Sequence, residues 1–85
     1  PDRLARLEAD PAAWAFWQEA TPGYRKVCVH WVMEAKRDDT RDRRLAQLVE
    51  LSAAGELIPS QRYGSTPRWV ERASAAARAA RPAAG

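Results

Sequence analysis

Apolar residues recur along this chain at three-and-four spacing in short segments, each opened by a residue that caps helices well. Asp10 followed by Pro11 pairs an N-cap acceptor with proline at the first helical position, and Trp14, Phe16 and Trp17 crowd the next two turns before Thr21-Pro22-Gly23 interrupts the pattern. A shorter helical turn precedes it, with Asp2 as cap and Leu4 and Leu7 on one face. Thr21-Pro22 repeats the cap-plus-proline signal. Tyr24, Val27, Cys28, Trp31 and Ala35 then trace one stripe of a central helix running to about Lys36. Val32 widens that stripe, whereas Val29 and Met33 lie on roughly the opposite side, so the helix is apolar on more than one face.

Asp38, Asp39 and Thr40 offer acceptors to the free amides of a third major helix, with Leu45, Leu48, Val49 and Ser52 as its inward stripe and Gly55 as a left-handed stop. Residues 58 to 64 read as loop. Thr66-Pro67 signals another start, and Trp69 to Ala80 favours helix but has only Trp69, Val70 and alanines to anchor it, so this helix is expected to be weakly held and to fray. No segment alternates with period two. The pattern predicts an all-α protein, a small single-domain bundle of three to five short helices over residues 1–85, with a core in 2–56, a loop and helix in 57–81 and a frayed tail in 82–85. Trp31, mid-stripe on the longest apolar run, is expected to be the most buried of the four tryptophans.

Eighty-five residues bury only about 60–65% of the surface that the unfolded chain exposes, so four tryptophans, two tyrosines and one phenylalanine must supply much of the core. A single cysteine, Cys28, closes no internal disulfide; it sits on the core stripe, where a thiol acts as a small hydrophobe. No Cys or His stands near His30 at metal-ligand spacing, so neither a metal nor a cofactor is expected. No basic-then-apolar leader and no run of about 20 apolar residues is present, which makes the cytoplasm the expected location and membrane insertion unexpected. The net charge of +3 is uneven: two basic against four acidic residues in 1–20, seven against five in 21–50, and five against two in 51–85. That balance suits an acidic partner or a polyanion, but a compositional bias toward Ala and Arg gives the same balance without selection for binding and is the favoured reading.

The run from Tyr24-Arg25-Lys26 through Trp31-Val32 to Ala35-Lys36-Arg37-Asp38-Asp39-Thr40-Arg41-Asp42-Arg43-Arg44-Leu45 resembles the signature of the YdeI/OmpD-associated family, also called bacteriocin-protection proteins. Its centre is "AKR..TR..R", and the upstream stretch from Asp2 to Trp17 ("DRLARLEADPAAWAFW") resembles that family's opening segment. The likeness covers about residues 2 to 56 and implies a binding or stress-protection role.

Arg41 lies one turn before Leu45 and Arg44 one turn before Leu48, which starts both guanidiniums near the inward side of the third major helix. Each needs a partner there: Glu34, Asp38 or Glu19, in a corner that locks the turn, or a bound anion beside amides capped by Thr40. The corner of Lys36, Arg37, Thr40, Arg41 and Arg44 is the candidate binding site, and a structural pairing of Arg41 is the expected outcome. Three readings compete. In the leading one a non-enzymatic domain engages an anionic ligand or a protein partner through this corner. In the second, short helices with basic turns bind nucleic acid, against which the alternation Arg41, Asp42, Arg43, Arg44 gives no clean basic face. In the third, Trp14, Trp17, Tyr24, His30 and Trp31 line a small-molecule or enzymatic pocket. Tyr63, Arg68 and Trp69 can stack on a flat ligand, although Trp69 is the natural closure of the core. Val29 and Met33 are candidates for a partner contact or a homodimer.

Overall fold

Local capping decides where the first helices begin. In the computed structural model, which describes residues 2–62, 64 and 66–81, with side chains from Leu4 onward, α1 (Asp2–Ala9) is followed by α2 (Pro11–Glu19) and α3 (Pro22–Met33). The Asp10 carboxylate accepts the Ala13 N–H at 3.0 Å and the Thr21 hydroxyl accepts the Tyr24 N–H at 3.2 Å, and each helix has proline at its first position. Then come α4 (Asp38–Ala54), a single 3-10 turn (Pro59–Gln61) and α5 (Arg68–Ala80). The fold is all-α, with five α-helices and no strand among the described residues. α4 stops at Gly55, in the left-handed region at φ 78°, where the N–H groups of Gly55 and Glu56 turn back to the carbonyls of Ser52 and Leu51. A Cβ at Gly55 would also lie 2.9 Å from the Ser74 hydroxyl, which donates to the Gly55 carbonyl at 2.8 Å.

Phe16 is the centre of the core, with no exposed surface. Its ring meets Tyr24 edge-on at 6.5 Å and Trp69 at 5.9 Å, and Tyr24 and Trp69 stand 5.1 Å apart. The Tyr24 hydroxyl also accepts the N–H of the fully buried Ile58 at 2.9 Å, which ties the loop after α4 to α3. The most extensive helix pairing is α2 on α5. Ala13 on one side and Ala73 and Ala77 on the other have no exposed surface, so small side chains let the two helices approach closely.

Several expectations change. α5 is not a weakly held appendage: its buried alanines lie in the most extensive helix pairing of the molecule, a packing that hydrophobicity undervalues because each alanine has so little area of its own. Trp31 is not the most buried tryptophan. Trp17 is, at 6% exposure, because α3 turns Tyr24, Cys28 and Val32 inward, at i, i+4 and i+8, and leaves Trp31 at the edge and Val27 outside. α3 ends at Met33 and not near Lys36. Thr40 caps nothing: α4 begins two residues earlier, Arg37 takes the cap position without a side-chain bond, and Asp38 and Asp39 occupy the first turn, where their negative charges complement the positive end of the helix dipole. Pro67, not Thr66, takes the cap position of α5. Asp2 is the first residue of α1 and not the residue before it, where a cap would stand; its side chain, Tyr63 and the tail at 82–85 lie outside the described residues.

Candidate binding surface

The turn from α3 to α4 is built by arginines reaching backward. Arg41 donates its Nε–H to the Ala35 carbonyl at 2.7 Å, and Arg44 donates to the Trp31 carbonyl at 2.7 Å and to the Glu34 carboxylate at 3.3 Å. The Arg44 guanidinium also lies 5.7 Å from the centre of the Trp31 ring. A helix end leaves carbonyls without intrahelical partners, and cations there meet the negative end of the dipole. Arg44 satisfies that demand at the Trp31 carbonyl in the last turn of α3, and Arg41 holds the Ala35 carbonyl in the turn just beyond it. Arg41 makes a longer contact, 3.7 Å, to Asp38.

Arg41 is therefore held mainly by a carbonyl and only marginally by a carboxylate. Arg41→Ala should cost about 1–3 kcal/mol, the penalty of leaving a part-buried carbonyl unsatisfied, rather than the larger loss that follows stranding a buried charge. Thermal denaturation with and without added phosphate checks this. Stability unchanged by the substitution, together with phosphate stabilising the parent alone, would mean that an anion and not the carbonyl is the partner.

Lys36 and Arg37 point a different way. Both are exposed at the tip of the turn; Arg37 closes on Asp39 at 3.2 and 3.3 Å, and Lys36 has no ion pair among the described residues. The five corner residues are thus brought onto one turn but are divided in use, with Arg41 and Arg44 turned to the backbone, Lys36 and Arg37 turned to solvent, and Thr40 half-buried in the first turn of α4.

The five aromatic-pocket residues do not converge. Trp17 and Tyr24 belong to the core, Trp14 and Trp31 are half-buried, and the His30 side chain is exposed beside Glu34 at 3.6 Å. Trp17 lines one hollow and Tyr24 another. Tyr24 and Cys28 adjoin in the interior, where burial pushes the Cys28 thiol up to about 11 against the hydrogen bond from Tyr24, and burial followed by the charge of the Cys28 thiolate pushes Tyr24 well above the usual phenol range. Neither ionises near neutral pH, so neither is an activated nucleophile. Among the described residues no group of three or more His, Cys, Asp or Glu is placed to hold a metal, and no helix is long and apolar enough to cross a membrane.

A feature that spacing along the chain conceals is an open apolar trough of about 420 Å³ beside the basic turn. Its floor is Leu7, Trp17, Val32, Leu45 and Leu48, all buried; its walls are Leu4 of α1 and Val29 and Met33 of α3, which stand 43%, 53% and 41% exposed. Val29 and Met33 were legible as an odd apolar face, whereas the opposite wall is supplied by a helix some 25 positions earlier and carries no local signal.

The family model of bacteriocin-protection, YdeI or OmpD-associated proteins (OmdA) matches residues 1–55. The chain belongs to this family. No curated protein and no solved structure matches it. In OmdA terms, the matched region ends at the glycine that stops α4, and the "AKR..TR..R" segment includes the two arginines that hold the α3–α4 turn. α5 lies beyond the matched region, yet it covers the face of α2 on which Phe16 sits.

Proposed function

We propose that this OmdA-family chain is a non-enzymatic, cytoplasmic binding domain of the stress-protection kind, which engages an anionic surface of a protein partner through Lys36 and Arg37 at the α3–α4 turn. The observation that carries this reading is the division of labour at the turn. Arg44 is spent on the Trp31 carbonyl of α3 and Arg41 on the Ala35 carbonyl of the turn itself, which fixes the backbone and leaves Lys36 and Arg37 exposed at its tip on a held support. The description of the family as bacteriocin-protection supplies the setting.

Charge reversal at the two exposed positions tests this, because Lys36→Glu/Arg37→Glu touches no core contact. The parent should bind fluorescent polyglutamate with an affinity that falls as salt rises, and the double variant should lose that binding while melting like the parent. Bacteriocin-sensitive cells carrying the parent should survive a challenge that kills cells carrying the variant. Equal survival of the two, or polyglutamate binding that ignores the substitutions, would overturn the reading; tighter binding to duplex DNA than to polyglutamate would replace it with a nucleic-acid module.

A further inference from the structure

Building on that reading, we infer that the trough between α1 and α3 receives an amphipathic helix of the partner protein, with acidic residues flanking its apolar stripe. The walls of the trough are exposed side chains over a buried floor, so it is open along its length and is not an enclosed cavity. An open apolar trough between helices is the geometry that takes a helix laid on its side, read through anchors at i, i+3 or i+4, and i+7. The α3 wall from Lys26 to Met33 covers two turns, about 10 Å, which a partner helix of three turns spans.

Charge decides among occupants. Lys26 stands one turn before Val29 and Lys36 follows Met33 by three positions, both exposed and neither in an ion pair among the described residues. Glu34, the acid between them in sequence, is engaged by Arg44 at 3.3 Å and faces His30 at 3.6 Å. The α3 side of the trough therefore presents apolar side chains with an exposed lysine before them on the helix and another in the turn after it, whereas the α1 side carries the acid Glu8 one turn after Leu4. A second copy docking by two-fold symmetry with α3 antiparallel on α3 would bring Lys26 of each copy toward Lys36 of the other, which repels. A fatty acid would leave much of its chain in water, because the walls do not close over it. An acid-flanked helix satisfies both the apolar floor and the basic wall.

The test is a displayed library of 16-residue helical peptides, randomised at every surface position and selected against the full chain, with the enriched peptides titrated calorimetrically. Enriched peptides should carry the apolar stripe with Asp or Glu beside it. Their affinity should fall at least about tenfold for Val29→Asp/Met33→Asp and for Lys26→Glu/Lys36→Glu, as expected when a central anchor or its charge partner is lost. Thermal melting of both variants should match the parent, because all four side chains are exposed.

Peptides without acidic enrichment, or peptides that bind the Val29→Asp/Met33→Asp variant as tightly as the parent, would overturn the inference. So would a library that enriches nothing while dodecanoate quenches Trp17, or sedimentation showing a dimer that Val29→Asp/Met33→Asp dissociates. Any of these, alongside loss of bacteriocin survival in Lys36→Glu/Arg37→Glu, would leave the binding reading standing and remove only the helix.

Discussion

Replacing Phe16 with alanine should destabilise the domain by about 3–5 kcal/mol, the cost of deleting a fully buried aromatic ring and leaving its cavity. An 85-residue domain has a total stability of about 4–13 kcal/mol at the usual ~0.05–0.15 kcal/mol per residue, so this one change removes a large share of it. Tyr24 and Trp69, which meet the Phe16 ring at its edges, would lose their shared neighbour and cannot both move into the gap while Tyr24 remains bonded to Ile58. Urea unfolding followed by tryptophan fluorescence is the measurement. The midpoint should fall sharply for Phe16→Ala and by less for Trp31→Ala, whose ring is only half-buried under Arg44. A parent-like midpoint for Phe16→Ala would show that the core is centred elsewhere.

Ending the chain at Gly55 should abolish cooperative folding altogether. The shortened protein keeps α1 to α4 and the whole of the OmdA match, but it uncovers Ala13, Phe16 and Tyr24 and removes Ile58, Val70, Ala73 and Ala77 from the core. Four short helices with one apolar face turned to water are marginal, because isolated helices of this length are not stable by propensity. Near-ultraviolet circular dichroism should be lost and heating should give a gradual change. A sharp melt of residues 1–55 would mean that the family-matched region folds alone and that α5 is dispensable.

How much of this was legible in the sequence depended on how local each signal was. Asp10-Pro11, Thr21-Pro22 and Gly55 act within three or four residues of themselves, and each marks a helix end as read. The facing of α3 was misjudged by little, since Trp31 lies about 60° around the helix axis from the centre of the Tyr24, Cys28 and Val32 stripe at 100° per residue. That rotation is set by Phe16 and Ile58, distant partners that no window along α3 contains. In α5 the alanines that are buried against α2 are the same residues that make the helix look featureless.

The candidate surface was legible by halves for the same reason. The signature arginines pointed to the α3–α4 turn, yet their spacing gave no means of telling a carbonyl from a carboxylate as partner for Arg41, because a carbonyl leaves no trace in residue identity. The alternation in Val29 and Met33 showed one wall of the trough; only the packing of α1 supplies the other.

The pairing of α2 with α5 also sets the order in which this protein can assemble. Arg72 meets Glu19 at 2.7 Å across 53 positions of chain, whereas the α1–α2 and α3–α4 contacts join neighbours in sequence. Closing so long a loop carries an entropy penalty that short-range helix pairs do not, so the early helices gather first and α5 docks late. During synthesis the apolar face of α2 is made long before its cover, and through that interval Phe16 is available to whatever else in the cell binds nascent hydrophobic surface.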